Sequence, residues 1–77
     1  MGIVKGRVVT RTGSPVPNAT VRGNVGGLMG GFVTSKTDRE GRFVLNYSGV
    51  GRLEYVSVEG GERENNVASG SDLTLYK

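Results

Sequence analysis

The chain of 77 residues contains no cysteine, no histidine and no tryptophan. Without cysteine it can form no disulfide, no thiolate zinc site and no cysteine nucleophile. Without histidine it lacks the commonest metal ligand and the commonest general base near neutral pH. An enzyme built from this chain would have to work with carboxylates, lysine and hydroxyls alone. We therefore expect no catalytic residue, no metal site and no cofactor.

Helical patterns and long apolar runs are also missing. No stretch places apolar residues at i, i+3, i+4 and i+7, the spacing of an amphipathic helix. No apolar run has the length of a signal peptide or a transmembrane helix, so we predict no membrane span. Twelve valines and fourteen glycines instead favour pleated strands joined by many turns. Since a chain of this length has residues for only one core, the sequence predicts a single all-β domain.

The charge balance is basic, with ten Lys and Arg against seven Asp and Glu and a net charge of +3. The excess of positive charge lies in the first half: residues 1–38 contain five basic residues and one acidic residue, whereas residues 39–77 contain five basic and six acidic residues. Such a half can bind an acidic surface or nucleic acid. Proteins that bind nucleic acid usually interleave basic residues with exposed aromatics, and this chain has only three Tyr and two Phe. We interpret the charges as a solvated surface and expect no nucleic-acid partner.

Alternation of apolar and polar residues is the main structural signal. From Ile3 to Thr10, Val4, Gly6 and Val8 share one face, which is typical of a strand with one solvated face. The same period, interrupted by turn signals, predicts further strands at residues 19–23, 32–37, 42–47, 52–59 and 73–76. Six or seven strands at this spacing are typical of a β-sandwich.

Two segments are less regular. Within residues 52–59 the apolar positions change parity after Tyr55, which requires either a bulge there or a strand buried on both faces. Residues 62–72 are polar, and only Val67 and Ala68 are expected to contact the core.

A tight turn is predicted between residues 37 and 41. Asp38 suits the first turn position and Gly41 the left-handed position, so we expect a hairpin there. Phe43 and Leu45 then follow on the core face of the next strand. A calcium site at Asp38 and Glu40 would need more oxygen ligands than these two carboxylates offer, and the turn already explains both residues.

Three motifs together suggest a family. They are Val4-x-Gly6-x-Val8, Gly13-x-Pro15-Val16-x-Asn18-Ala19-x-Val21 and Thr37-Asp38-x-x-Gly41-x-Phe43-x-Leu45. This combination resembles the carboxypeptidase regulatory-like family, whose members are Greek-key β-sandwiches of the transthyretin-like (prealbumin-like) type. The resemblance extends over roughly residues 3–58. It implies one accessory domain over residues 1–77 of a larger protein that is extracellular, periplasmic or on the cell surface.

The resemblance also bears on more specific chemistry. Transthyretin-like hydrolases rely on histidines and a Tyr-Arg-Gly-Ser tail, which this chain lacks, so no such activity is implied. In related adhesins the first strand carries the lysine that forms an isopeptide bond with an asparagine. Lys5 lies on the corresponding strand here, but alternation places it on the solvated face. Asn18 and Asn46 each begin a glycosylation sequon, although turn formation explains such residues equally well.

The resemblance implies a module for protein interaction or spacing, and the glycine-rich segment at residues 23–31 is the candidate contact. No charged residue occurs from Asn24 to Thr34. The predicted partner-binding residues of this segment are Val25, Leu28, Met29 and Phe32. The partner would be another protein, a neighbouring domain of the parent chain or a second copy pairing through a sheet edge.

Two alternatives stay open. The glycine-rich segment could instead be an irregular strand with Leu28 or Phe32 in the core. The module could also bind carbohydrate, which usually requires an exposed aromatic platform. Tyr47, Tyr55 and Tyr76 are then the candidate platform residues.

Overall fold

A computed structural model describes residues 2–26, 31–47 and 52–77 of the chain. These residues form seven strands: β1 (Gly2–Val9), β2 (Thr20–Val25), β3 (Gly31–Lys36), β4 (Arg42–Tyr47), β5 (Arg52–Val58), β6 (Arg63–Ala68) and β7 (Asp72–Tyr76). Within the described ranges there is no helix long and apolar enough to cross a membrane.

The strands form two sheets, one with the order β4-β1-β7 and one with the order β3-β2-β5-β6. The prediction of an all-β sandwich with six to seven strands is therefore confirmed. In the smaller sheet β1 is antiparallel to β4 and parallel to β7. In the larger sheet all three strand pairs are antiparallel.

The turn at residues 37–41 has the predicted local geometry. The Gly41 amide donates to the Asp38 carbonyl at 3.0 Å, and Gly41 has a φ of 77°. The strands on either side of it nevertheless belong to different sheets, so the prediction of a hairpin is wrong. Before the turn the Thr37 amide donates to the carbonyl of Ala19, the residue that precedes β2 of the larger sheet. After the turn the Gly41 carbonyl accepts from the Val8 amide of the smaller sheet. The turn is a corner between the sheets.

The core lies between the two sheets and follows the predicted alternation. Phe43 and Leu45 are buried, as expected. The other completely or almost completely buried apolar side chains are Val4, Val8, Ala19, Val21, Tyr47, Leu53, Val56, Val58, Val67 and Leu75. Each buried Val or Leu side chain stabilises the fold by about 1.5–3 kcal/mol relative to exposure. Gly6 makes room for the Phe43 ring, because a Cβ at Gly6 would lie 2.9 Å from two of its carbon atoms.

The change of parity in β5 is a bulge. Asn24 of β2 pairs with Tyr55, but Val25 pairs with Leu53, so that Glu54 has no counterpart on β2. The bulge allows Leu53 and Val56 to face the core although they differ in parity. Of the two readings of this segment, the bulge near Tyr55 is confirmed.

The polar stretch after residue 61 contains a strand that the sequence pattern does not reveal. β6 pairs with β5 along its length and forms an edge of the larger sheet. Val67 is buried, as expected, whereas Ala68 is exposed, so its predicted contact with the core is wrong. The reason is strand alternation, which turns Ala68 away from the face that Val67 presents.

Candidate binding site at the β3 edge

The strand β3 has β2 on one side and no strand on the other side among the described residues. Its end is fixed by Thr37, whose amide donates to the Ala19 carbonyl at 2.9 Å. The buried Thr37 hydroxyl also donates to the Val16 carbonyl at 2.6 Å and accepts from the Ala19 amide at 2.8 Å. These bonds hold β3 in register at the sheet edge.

The register shows which backbone groups of β3 face outward. Backbone groups of an antiparallel strand point alternately toward and away from the neighbouring strand. Because Thr37 points toward β2, Val33 and Ser35 do so as well. Phe32, Thr34 and Lys36 therefore direct their amides and carbonyls away from β2. These three residues present the backbone groups that another strand would need for pairing.

Few side chains protect this edge. From Gly31 to Ser35 the strand has no charged residue, and its first charge is Lys36 at the end. Val33 is half-buried and packs against the core. Charges, prolines and bulges are the usual means by which proteins prevent pairing at an edge. The β3 edge has none of them before Lys36.

An arginine and an aromatic ring lie together beside the edge. Phe32 is 61% exposed on the outer face of the larger sheet. The Arg22 guanidinium of β2 lies 5.3 Å from the centre of the Phe32 ring, which is within the range of a cation–π contact. Asn24, the cross-strand neighbour of Phe32, donates from Nδ2 to Glu54 Oε1 at 3.1 Å. Arg22 thus extends toward β3, while Asn24 is held on the opposite side toward β5.

A second pair of the same kind lies farther from the edge. The Arg63 guanidinium of β6 lies 4.3 Å from the centre of the Tyr55 ring. Ser57 of β5 pairs with Arg22 on one side and with Arg63 on the other, and all three residues line a groove of about 330 Å³. The groove is lined by Thr20, Arg22, Tyr55, Ser57, Glu59 and Arg63.

The cations of this face have no carboxylate partner. Within the described ranges the one salt bridge joins Glu40 of the corner to Arg42 at the start of β4, at 3.4 Å. Arg22, Lys36 and Arg63 therefore have no carboxylate oxygen within 4.0 Å. Their charges are available to an external ligand.

Of the four predicted partner-binding residues, the structure describes Val25 and Phe32, and these two lie on opposite faces of the larger sheet. Phe32 is exposed on the outer face, so the alternative that places Phe32 in the core is wrong. Val25 is half-buried and packs against the core, on the face opposite to Phe32. Leu28 and Met29 lie outside the described residues. The sequence pattern also did not single out Arg22, because its contact with Phe32 depends on the strand register.

The three tyrosines proposed as a sugar platform are also separated. Tyr47 is 5% exposed and belongs to the core, so its assignment to an exposed platform is wrong. Tyr76 is exposed on the smaller sheet, and Tyr55 lies on the larger sheet against Arg63. No two of these rings share an outer face, which weakens the case for carbohydrate binding.

The carboxylates of the corner have structural partners. Asp38 Oδ1 accepts from the Arg42 amide at 3.0 Å and from the Glu40 amide at 2.8 Å. These hydrogen bonds, that from Arg42 first, lower the pKa of Asp38 below its ordinary value of 3.8. In the part of the chain that the structure describes, no three His, Cys, Asp or Glu residues are grouped so that they could hold a metal ion.

Comparison with protein-family models, with curated proteins and with solved structures finds no match for this chain. The resemblance to the carboxypeptidase regulatory-like family therefore stays a prediction.

Proposed function

We propose that this chain is a non-catalytic β-sandwich module that binds a protein partner by adding a strand to the β3 edge. The observation that carries the proposal is the row of outward backbone groups at Phe32, Thr34 and Lys36 on a regular edge strand that is uncharged from Gly31 to Ser35. In this mode of recognition main-chain hydrogen bonds supply affinity, and alternate side chains supply specificity.

The fixed position of β3 supports this role. An incoming strand loses conformational freedom on binding, and affinity improves when the receiving edge is already ordered. The β3 edge is ordered by its pairing with β2 and by the bonds of Thr37 with Ala19 and Val16. Each new main-chain hydrogen bond then contributes about 0.5–1.5 kcal/mol.

The glycine-rich segment extends from the end of β2 to the first residue of β3 and belongs to the same proposal. Leu28 and Met29 would give an incoming strand adaptable apolar contact, in addition to Phe32. The resemblance noted above suggests the wider setting, namely an accessory or spacer domain of a larger extracytoplasmic protein. A carbohydrate-binding module is the weaker alternative, since its three tyrosines are separated.

A proline substitution tests the proposal at a single backbone atom. In Thr34→Pro the outward amide is lost, while the bonds between β3 and β2 stay intact. The probe is the neutral peptide Thr-Gln-Val-Thr-Val-Gln-Thr, titrated into the ¹⁵N-labelled protein. We expect chemical-shift changes centred on the amides of Phe32, Thr34 and Lys36, and about tenfold weaker binding to Thr34→Pro.

The matched control is Asn65→Pro on the opposite edge of the same sheet. The Val58 amide donates to the Glu62 carbonyl, so alternation directs the Asn65 amide outward from β6. This variant should bind the peptide as the unmodified protein does. A peptide that shifts no β3 amide up to its solubility limit, or that binds Thr34→Pro equally well, would contradict the strand-addition proposal.

A further inference from the structure

We infer that the strand bound at the β3 edge is acidic, with carboxylate side chains opposite Lys36 and beside Phe32. This inference rests on the proposed function and adds the chemistry of the partner. It follows from the charges that the structure places along the edge. The two strands nearest the partner, β2 and β3, contain Arg22 and Lys36 and no Asp or Glu.

Both cations point to the outer face on which the partner's alternate side chains would lie. Lys36 is exposed, and its backbone is one of the three outward positions of β3. Arg22 is one strand farther in, but its guanidinium lies over the Phe32 ring and so reaches β3 itself. Neither has a carboxylate within 4.0 Å. A guanidinium held over a ring keeps its N–H edges available for a carboxylate.

The register defines where the partner's acidic residues belong. Residues on one face of a strand repeat every second position, about 6.5–7 Å apart. The partner positions opposite Phe32, Thr34 and Lys36 are therefore i, i+2 and i+4 of the added strand. Carboxylates at i and i+4 would meet Arg22 and Lys36, and the position between them would face the uncharged Thr34. Cross-strand pairs of opposite charge strengthen pairing, whereas like charges weaken it.

The same charges disfavour a second copy of the chain as the occupant. Two β3 strands paired about a two-fold axis at Thr34 would place Lys36 opposite Phe32 of the second copy. The Arg22 guanidinium of that copy lies over the same ring. Each end of such an interface would bring two positive charges together without a carboxylate between them. An acidic strand from another protein removes this repulsion.

The test compares three peptides that differ only at two positions. They are Thr-Glu-Val-Thr-Val-Glu-Thr, its Gln counterpart and its Lys counterpart, each titrated into the ¹⁵N-labelled protein at low salt. We expect the Glu peptide to bind about tenfold more tightly than the Gln peptide, since each charge pair contributes about two- to fivefold. The Lys peptide should bind most weakly. The preference should decrease in about 0.5 M salt, because exposed charges are screened.

Variants test whether Arg22 and Lys36 at the β3 edge cause the preference for the Glu peptide. In the double variant Arg22→Gln/Lys36→Gln the Glu and Gln peptides should bind equally, with shifts still centred on β3. In Arg22→Glu/Lys36→Glu the order should invert in favour of the Lys peptide. Arg63→Gln is the matched control, because Arg63 also lies over an aromatic ring but belongs to the far strand β6. It should leave the preference unchanged.

The outcomes separate the two proposals. If all three peptides bind the β3 edge equally, strand addition stands and the acidic partner is wrong. If no peptide shifts the β3 amides, both proposals fail. If Arg63→Gln abolishes the preference, the ligand is an anion held in the groove and not a strand at the edge. A chain that dimerises without peptide, and whose dimer is lost in Thr34→Pro, would show that a second copy occupies the edge.

Discussion

The two edges of the larger sheet differ in almost every property that governs strand pairing. The β6 edge carries Arg63 and Glu64, and its Asn66 has a φ of 57°, which interrupts the regular strand. The β3 edge is regular, is neutral from Gly31 to Ser35 and has its one charge at Lys36. Both edges belong to one sheet and contribute an apolar side chain to the same core.

This difference indicates that protection from pairing is a local property that each edge strand acquires separately. Charged side chains and backbone irregularities at β6 are typical devices against edge-to-edge association. Their absence at β3 has no structural cause in the core, because Val33 faces inward there just as Val67 does at β6. The contrast supports β3 as the edge at which a partner strand adds.

The largest expected effect is a loss of stability that depends on whether a substituted β3 residue directs its backbone amide toward β2 or away from it. Val33→Pro removes an amide that points toward β2 and leaves a buried carbonyl without its donor, which costs about 1–3 kcal/mol. Loss of the Val33 packing against the core adds to this. Thr34→Pro, one residue later, should cost less than about 1 kcal/mol. Urea denaturation of the two variants measures the difference. Equal losses would mean that the assignment of outward positions along β3 is wrong.

A smaller effect is expected from the irregularity that protects β6. Asn66→Val forces a β-branched residue into the left-handed region and should destabilise the fold by about 1–3 kcal/mol. Asn66→Gly, which adopts this conformation without strain, is the control and should change the stability by only a few tenths of a kcal/mol. Thermal unfolding distinguishes them. A Val variant as stable as the Gly variant would show that the strand straightens easily, and the contrast between the edges would lose its physical basis.

The smallest effect concerns the corner that follows β3. The backbone hydrogen bonds to Asp38 lower its pKa from the ordinary value of 3.8. A lowered folded-state pKa means that this stabilisation is present above about pH 4 and is lost as the pH falls through the folded-state pKa. The free energy of unfolding of Asp38→Asn should therefore decrease slightly less steeply, as the pH falls, than that of the unmodified protein. Denaturation midpoints between pH 5 and about pH 2 test this, and identical acid slopes in both proteins would contradict it.

Most of the core was predictable from the sequence because alternation is a local signal. Phe43, Leu45 and Tyr47 share one parity, and all three are buried. The prediction of Tyr47 as part of an exposed sugar platform is wrong, because a tyrosine in the sequence does not indicate how deeply its ring is buried. The parity change around Tyr55 allowed either a bulge or a strand buried on both faces, and the structure has the bulge. The parity change did not predict the left-handed Asn66 of β6, which lies opposite the bulged Glu54.

The candidate site was less predictable because it depends on long-range pairing. That β3 is an edge follows from the strand order of the whole sheet, which no local pattern contains. The contact between Arg22 and Phe32 requires the register of β2 against β3. The hairpin predicted at Asp38 and Gly41 fails for the same reason. The turn residues determine the local bend, whereas partners elsewhere in the chain determine which sheet each strand joins.

The parallel pairing of β1 with β7 has a mechanical consequence. Because these strands run in the same direction, a pulling force applied at Gly2 and Tyr76 acts parallel to both strands and makes them slide past each other. Five residue pairs from Lys5–Asp72 to Val9–Tyr76 would then bear the load simultaneously. An antiparallel pair loaded from its open end would instead separate one bond at a time. If the domain lies in series within a longer chain under tension, this arrangement makes it a stiff link that yields only when the whole ladder shears.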